Sequence, residues 1–156
     1  MQSNDYLISF VLGTRPEAIK MAPLILEFKK FQKVKIKIIL TGQHDDMVRS
    51  VIDFFELKED INLNILKRST SLDQSISIIL SELRISFDDE KPDIVFVQGD
   101  TITAFAGALA AFLKKIPVAH VEAGLRTESI YAPFPEEANR RMISQIASLH
   151  FPPTKI

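Results

Sequence analysis

The sequence contains no cysteine and no tryptophan, and only 5 of its 156 residues are glycine. Without cysteine the chain has no disulfides, no thiolate metal ligands and no cysteine nucleophile, which fits a reducing compartment. Its 19 basic and 20 acidic residues leave a net charge of −1. Such a chain has no global field to attract nucleic acid or an anionic membrane, so an anionic ligand has to be held by a local cluster.

Long apolar runs and targeting signals are also missing. The longest mostly apolar run, residues 104–113, is about half as long as a membrane span needs. The apolar stretch 6–12 follows Asn4 and Asp5 instead of a basic segment, and it leads into Arg15 instead of a small-residue cleavage site. We therefore expect a soluble, cytoplasmic chain that contacts neither membrane nor nucleic acid.

Short β-rich apolar runs alternate along the chain with longer segments of helical period, and at 46% hydrophobic the composition is that of one globular domain. The pattern predicts an α/β fold, a Rossmann-like three-layer αβα domain with a mostly or wholly parallel sheet. The predicted strands lie near 7–12, 34–40, 61–66, 93–98, 117–122 and 148–151. The predicted helices lie near 16–32, 44–56, 72–88, 101–115 and 135–147.

Four of the five glycines fall just after a predicted strand and before the next helix: Gly13, Gly42, Gly99 and Gly124. These positions are the loops at the carboxyl edge of a parallel sheet, where open α/β sheets bind their ligands. Functional residues are therefore expected in these loops. The alternative is that the glycines only mark tight turns between strands and helices.

The first of these loops carries Arg15 and Lys20 at the start of a predicted helix. Free backbone N–H groups and the helix dipole at that position predict an anion site. The loop has neither the GxGxxG pattern of dinucleotide sites nor a Walker A sequence, so nicotinamide redox chemistry and ATP hydrolysis lose their main support. Alternatively, both side chains are ordinary surface charges.

Three carboxylates are predicted to converge on the same edge: Asp100, Glu122 and Glu136. Carboxylates in different local fields can hold different pKa values, which lets one act as a base and another as an acid. Four basic side chains should lie beside them: Arg15, Lys20, His120 and Arg126. The structural alternative is that Asp100 caps a helix and that Glu136 or its neighbour Glu137 complements a helix dipole.

His120 is two residues before Glu122, so strand alternation places both on one face. It is a candidate proton carrier or phosphate partner, or else a hydrogen-bonded histidine at the end of a buried strand. The three histidines lie on different segments without the spacing of metal ligands. We therefore predict no metal site.

Five stretches together resemble one family, the non-hydrolysing bacterial UDP-N-acetylglucosamine 2-epimerases. They are residues 13–24 (GTRPEAIKMAPL), 42–44 (GQH), 98–101 (QGDT), 120–127 (HVEAGLRT) and 135–140 (PEEANR). The resemblance implies one half of a two-domain, glycosyltransferase-like fold with the active site between two Rossmann-like domains. Residues 1–156 would be the N-terminal domain, and the C-terminal nucleotide-binding domain would be absent.

The resemblance also implies a reaction: UDP-N-acetylglucosamine becomes UDP-N-acetylmannosamine by elimination of UDP and its re-addition, without NAD or metal. It implies that Asp100, Glu122 and Glu136 are the acid/base carboxylates. Arg15 and Lys20 would lie near the diphosphate and sugar. In some family members the segment matching Gln43 and His44 lies near a regulatory nucleotide-sugar site, although Asp45 and Asp46 add negative charge here.

An isolated N-terminal half is expected to fold but to turn over no substrate until a second domain or complementary chain completes the cleft. The family habit further implies a homodimer. Two alternatives stay open at this point: a hydrolysing 2-epimerase that releases UDP and free N-acetylmannosamine, and a non-catalytic half-domain that binds a partner chain.

Overall fold

The computed structural model describes residues 5–42 and 45–154. Its strands are β1 (Tyr6–Leu12), β2 (Val34–Leu40), β3 (Ile61–Asn62), β4 (Ile94–Gln98), β5 (Val118–Val121) and β6 (Leu149–Phe151). Its helices are α1 (Arg15–Phe28), α2 (Asp45–Phe54), α3 (Leu72–Asp89), α4 (Ile102–Leu113) and α5 (Glu136–Ile146). All strand pairs are parallel, in the order β3-β2-β1-β4-β5-β6. The predicted Rossmann-like α/β class is confirmed.

Two apolar cores lie on opposite faces of the sheet. Phe10 and Phe96 face α1 and α2, whose buried residues include Met21 and Ile25. The alternate strand residues, such as Val11, face α3, α4 and α5. Because helices cover both faces, the central strands are apolar at successive positions, which explains their nearly continuous hydrophobic runs.

Helix α4 lies close to the sheet because it is built largely from small residues. A Cβ at Gly107 would be 3.2 Å from Cγ1 of both Val11 and Val97. Alanine residues such as Ala104 and Ala108 are fully buried on the same helix. The close packing fixes where the first residues of α4 meet the edge of the sheet.

The third strand was predicted too long. It ends at Asn62, and a short 3-10 helix, Ile65–Lys67, follows where the prediction continued the strand to residue 66. The chain turns at Asn64, which has a left-handed φ of 51° and donates its N–H to the Asn62 side-chain oxygen at 3.0 Å. Leu63 stays buried, so its apolar character indicated burial and not strand length.

The sheet order reverses between β1 and β4, which lie side by side at its centre. The helix after β1 covers one face and the helix after β4 covers the other, so their loops separate and leave a crevice at the carboxyl ends of the strands. This topology places the glycine-containing loops 13–14 and 99–101 on the two sides of one cleft. Among the residues described, no helix is long and apolar enough to cross a membrane.

Candidate active site

A cleft of about 510 Å³ opens at the carboxyl ends of β1, β4 and β5. Its walls come from the starts of α1 and α4, from the residue that follows β5, and from α2. The lining residues are Thr14, Arg15, Pro16, Glu17, Lys20, Met47, Gln98, Gly99, Asp100, Thr101 and Glu122. Four of the residues predicted from the sequence therefore share this cleft: Arg15, Lys20, Asp100 and Glu122.

Glu122 is held in the cleft by two donors. The Lys20 ammonium and the Gln98 side-chain amide both donate to its Oε2. Its backbone is left-handed, with φ of 63°. Glu56 and Lys115 also have positive φ, but they follow helices, where such a conformation is common, whereas Glu122 follows a strand. This backbone cost is the kind that proteins keep at functional positions.

Asp100 also lines the cleft, in the loop between β4 and α4. Its Oδ2 is 3.2 Å from Nη1 of Arg140, a buried guanidinium on α5. Burial raises the pKa of Asp100, and the nearby charges of Glu136 and Glu122 raise it further, while Arg140 opposes them. A carboxyl group whose pKa is raised in this way can hold or give up a proton nearer to neutral pH.

Glu17 also lines the cleft, and sequence reasoning did not assign it. It is 1% exposed, and its Oε2 accepts the N–H groups of Gly13 and Thr14, each at 2.7 Å. The Thr101 hydroxyl donates to its other oxygen, which links the start of α1 to the start of α4. Burial raises the pKa of Glu17 despite these donors.

The contacts of Glu17 correct one expectation about the anion site. Two backbone N–H groups before α1 were expected to be free for a ligand, but Glu17 occupies both. These two N–H groups are therefore not available to an anion at this end of the cleft. The Arg15 side chain is exposed there and forms no hydrogen bond or ion pair within the described part of the chain.

His120 and Arg126 lie outside the cleft. His120 is fully buried and its Nε2 is 2.7 Å from the Gly99 carbonyl oxygen, so Nε2 carries the proton. Burial lowers its pKa. The prediction that His120 and Glu122 share one strand face was wrong. Glu122 has a left-handed backbone, and its side chain contacts Lys20. Arg126 is exposed and donates to Ser144 on α5 at 2.9 Å.

The two adjacent glutamates at the start of α5 have different surroundings. Glu136 is partly exposed, and its charge raises the pKa of Asp100. Glu137 is fully buried and accepts from the Thr127 N–H at 3.1 Å and from Arg141 Nε at 2.7 Å. The hydrogen bond from Arg141 lowers the pKa of Glu137. Glu137 is thus the structural member of the pair.

Gln43 and His44, named above for a regulatory site, lie outside the described residues. Within residues 5–42 and 45–154, no group of three or more His, Asp or Glu side chains is arranged to hold a metal ion. Sequence reasoning also missed Thr101, Gln98 and Met47 as cleft residues. Thr101 had a readable signal, because a threonine directly before a helix is a preferred cap.

A family model described as UDP-N-acetylglucosamine 2-epimerase matches residues 26–156. The chain belongs to this epimerase family. UDP-N-acetylglucosamine 2-epimerases of Bacillus subtilis and Neisseria meningitidis are 55% and 52% identical to it, over 92% and 93% of the chain. A crystal structure of the Neisseria meningitidis epimerase bound to UDP-GlcNAc superposes with a TM-score of 0.91 at 51% identity, covering 95% of the chain.

The chain spans only part of these relatives. It covers 39% of the Neisseria meningitidis epimerase, 38% of the Bacillus subtilis epimerase and 40% of the crystallised chain. The comparisons establish the family and the glycosyltransferase-like Rossmann fold for this chain, which is less than half as long as these relatives.

Proposed function

We propose that the chain is the N-terminal domain of a non-hydrolysing UDP-N-acetylglucosamine 2-epimerase and supplies the acid/base carboxylates to an active site that a second domain completes. The observation that carries this proposal is the cleft in which Asp100 and Glu122 stand near Arg15 and Lys20. Carboxylates for proton exchange and cations for a departing diphosphate are what the reaction needs.

The proposed reaction begins when a carboxylate removes the C2 proton of UDP-N-acetylglucosamine and UDP leaves C1. The product of this step is a 2-acetamidoglucal. UDP then adds back at C1 while a proton returns to the opposite face of C2, giving UDP-N-acetylmannosamine. Asp100, Glu122 and Glu136 are the proposed proton-exchanging groups, and Arg15 and Lys20 stabilise the diphosphate. No cofactor takes part.

His120 and Arg126 remain candidate substrate-binding residues because of their predicted place beside the carboxylates, although both lie outside the cleft of this domain. A second domain closing over the edge of the sheet would bring additional groups to the site. The proposed partners are therefore UDP-N-acetylglucosamine, that second domain or a complementary chain, and a second copy of the subunit in a homodimer.

The test is a chimera in which this chain replaces the matching part of the Bacillus subtilis relative. Incubated with UDP-N-acetylglucosamine in deuterated water, the chimera should form UDP-N-acetylmannosamine with deuterium at C2, read by proton NMR. The 156-residue chain alone should form none. Release of free N-acetylmannosamine would favour a hydrolysing epimerase instead, and a folded chimera with no exchange would contradict the proposal.

Substitutions in the chimera test the assigned carboxylates. Glu122→Gln and Asp100→Asn should each lower kcat by roughly 100-fold or more, because general acid–base groups contribute about 10² to 10⁴ in rate. Glu128→Gln is the matched control, since Glu128 is exposed and does not line the cleft. Equal kcat values for Glu122→Gln and Glu128→Gln would remove Glu122 from the mechanism.

A further inference from the structure

The first two turns of α5 carry polar side chains that are buried against a different loop. Asn139 is 2% exposed and Arg140 is 7% exposed. Charged and amide side chains are seldom buried to this degree unless they have partners. Here the shared partner is Asp100, in the loop between β4 and α4.

Asp100 is contacted at two of its groups from α5. The Asn139 side-chain amide donates to the Asp100 main-chain carbonyl at 2.8 Å. Arg140 Nη1 lies 3.2 Å from the carboxylate Oδ2, and Arg140 Nη2 lies 2.9 Å from Oε2 of the buried Glu137. The guanidinium thus forms an ion pair with Glu137 through one terminal nitrogen and with Asp100 through the other.

The preceding peptide of the same loop is held from the sheet. The buried His120 contacts the Gly99 carbonyl oxygen at 2.7 Å, and Gly99 has a left-handed φ of 70°. Two successive carbonyl groups, at Gly99 and Asp100, thus have side-chain partners on two different elements. The position of the Asp100 backbone is defined from both sides.

We propose that Arg140, together with Asn139, is a positioning residue for the epimerase reaction that holds the Asp100 carboxylate at the wall of the cleft. This inference rests on the proposed function, in which Asp100 exchanges protons with substrate. Arg140 itself does not line the cleft, so it acts through Asp100. A displacement of a reacting group by about 1 Å from its productive geometry can lower the rate by a factor of about 100.

The charges that face Asp100 determine what loss of Arg140 should do. Glu136 on α5 and Glu122 after β5 repel the carboxylate, while Arg140 attracts it. His120 on β5 also faces this region, and burial lowers its pKa, so it adds little charge at neutral pH. Without the Arg140 guanidinium, burial and the two repulsions remain, and all three raise the pKa of Asp100.

The first experiment measures Asp100 directly in the 156-residue chain, without substrate. Carbon-13 labelling of the aspartate carboxyl groups and NMR titration give the Asp100 ionisation, assigned by the signal that Asp100→Asn removes. Arg140→Gln should move this ionisation upward by about one pH unit or more, since a neighbouring opposite charge shifts a carboxyl by about 1 to 3 units. Arg141→Gln is the matched control and should leave it in place, because Arg141 contacts Glu137 and Thr127 and not Asp100.

The second experiment measures kinetics in the chimera described above. Arg140→Gln and Asn139→Ala should lower kcat by roughly tenfold or more with KM changed less than about threefold, since the substrate contacts remain. In Arg140→Gln the ionisation seen in the pH profile of kcat should also move upward, whereas Asn139→Ala should leave it near its original pH. Arg140→Lys keeps the buried cation, so it should return the ionisation to its wild-type pH but restore only part of kcat.

An Asp100 ionisation that is unchanged in folded Arg140→Gln, or an unchanged kcat in folded Arg140→Lys and Asn139→Ala, would overturn the proposal. Circular dichroism checks folding of each variant, and Arg140→Lys decides if Arg140→Gln does not fold. The two hypotheses can be told apart. An inactive but folded wild-type chimera would reject the proposed function and with it a role of Arg140 in the reaction, while a shifted Asp100 ionisation would still show that Arg140 holds the Asp100 carboxylate. An active chimera with no shift would reject the positioning role alone.

Discussion

Two loops at the same edge of the sheet are closed in different ways. The turn between β1 and α1 is closed locally, because Glu17 accepts the N–H groups of Gly13 and Thr14, only three and four residues away. The longer segment between β5 and α5 is held by a contact between residues farther apart in the sequence, in which the Thr127 N–H donates to Glu137. The first turn is therefore closed mainly by contacts within its own sequence, whereas the second segment depends on where α5 lies.

Crowding in the first turn gives the largest expected effect on stability. A Cβ at Gly13 would overlap the hydroxyls of Thr103 and Thr41, so Gly13→Ala should cost about 2 to 3 kcal/mol. The melting temperature should fall by roughly 4 to 12 °C. Gly124→Ala in the second segment meets open space and only the strain of φ +90°, about 1 kcal/mol. A larger loss for Gly124→Ala would reverse the comparison.

The second segment should respond to a distant change that leaves the first turn unaffected. Glu137→Gln weakens the contact to the Thr127 N–H and removes the charge that Arg141 faces. Amide hydrogen exchange at Thr127 should accelerate roughly tenfold or more, while exchange at Gly13 stays unchanged. The neighbouring Glu136→Gln is the matched control and should alter neither amide. Equal acceleration at both amides would show that the two loops open together.

The smallest expected effect is a pH dependence that belongs to the first turn. Burial raises the folded pKa of Glu17 above its ordinary 4.5, so the folded chain binds this proton more tightly than the unfolded chain. The associated stability is present below about pH 4.5 and is lost as the pH rises through the folded pKa. Glu17→Gln mimics the protonated form. Its free energy of unfolding in urea should therefore rise relative to that of the wild type as the pH rises from 4 to 7.

The exposed Glu27 provides the control for this pH dependence. Glu27→Gln also removes one carboxylate from α1, but the Glu27 side chain is 61% exposed beside Lys30. Its difference from the wild type should stay nearly constant over the same pH range. A Glu17→Gln difference that is equally flat would mean that the buried carboxylate ionises as it does in the unfolded chain.

The same contrast explains what could be predicted from the sequence. Thr14 followed three residues later by Glu17 is a capping-box pattern, so the closure of the first turn was readable although it was not read. The cleft carboxylates could be predicted because parallel strands deliver their following loops to one edge. In contrast, nothing local to Asp100 indicates Arg140, since 39 residues, with a helix and a strand, lie between them and only the tertiary fold brings them together.

Errors in the predicted elements also come from features that sequence patterns do not show. The strand predicted near 61–66 is one of the short apolar runs, and its residues Ile61, Leu63 and Ile65 are all at least partly buried. Burial of this kind does not require pairing with β2, and the left-handed Asn64 ends the pairing. The predicted placement of His120 and Glu122 on one strand face failed at Glu122, another left-handed residue. Single backbone conformations of this kind have no periodic signal in the sequence.

In the proposed reaction, the left-handed backbone at Glu122 sets stability against activity at one position. Glycine would adopt φ of 63° at no steric cost, so the residue that the backbone favours there has no side chain to exchange a proton. Selection for a more thermostable chain would therefore favour loss of the carboxylate, and selection for turnover would restore it. Engineering programmes that rank variants by melting temperature alone should exclude position 122 from their libraries.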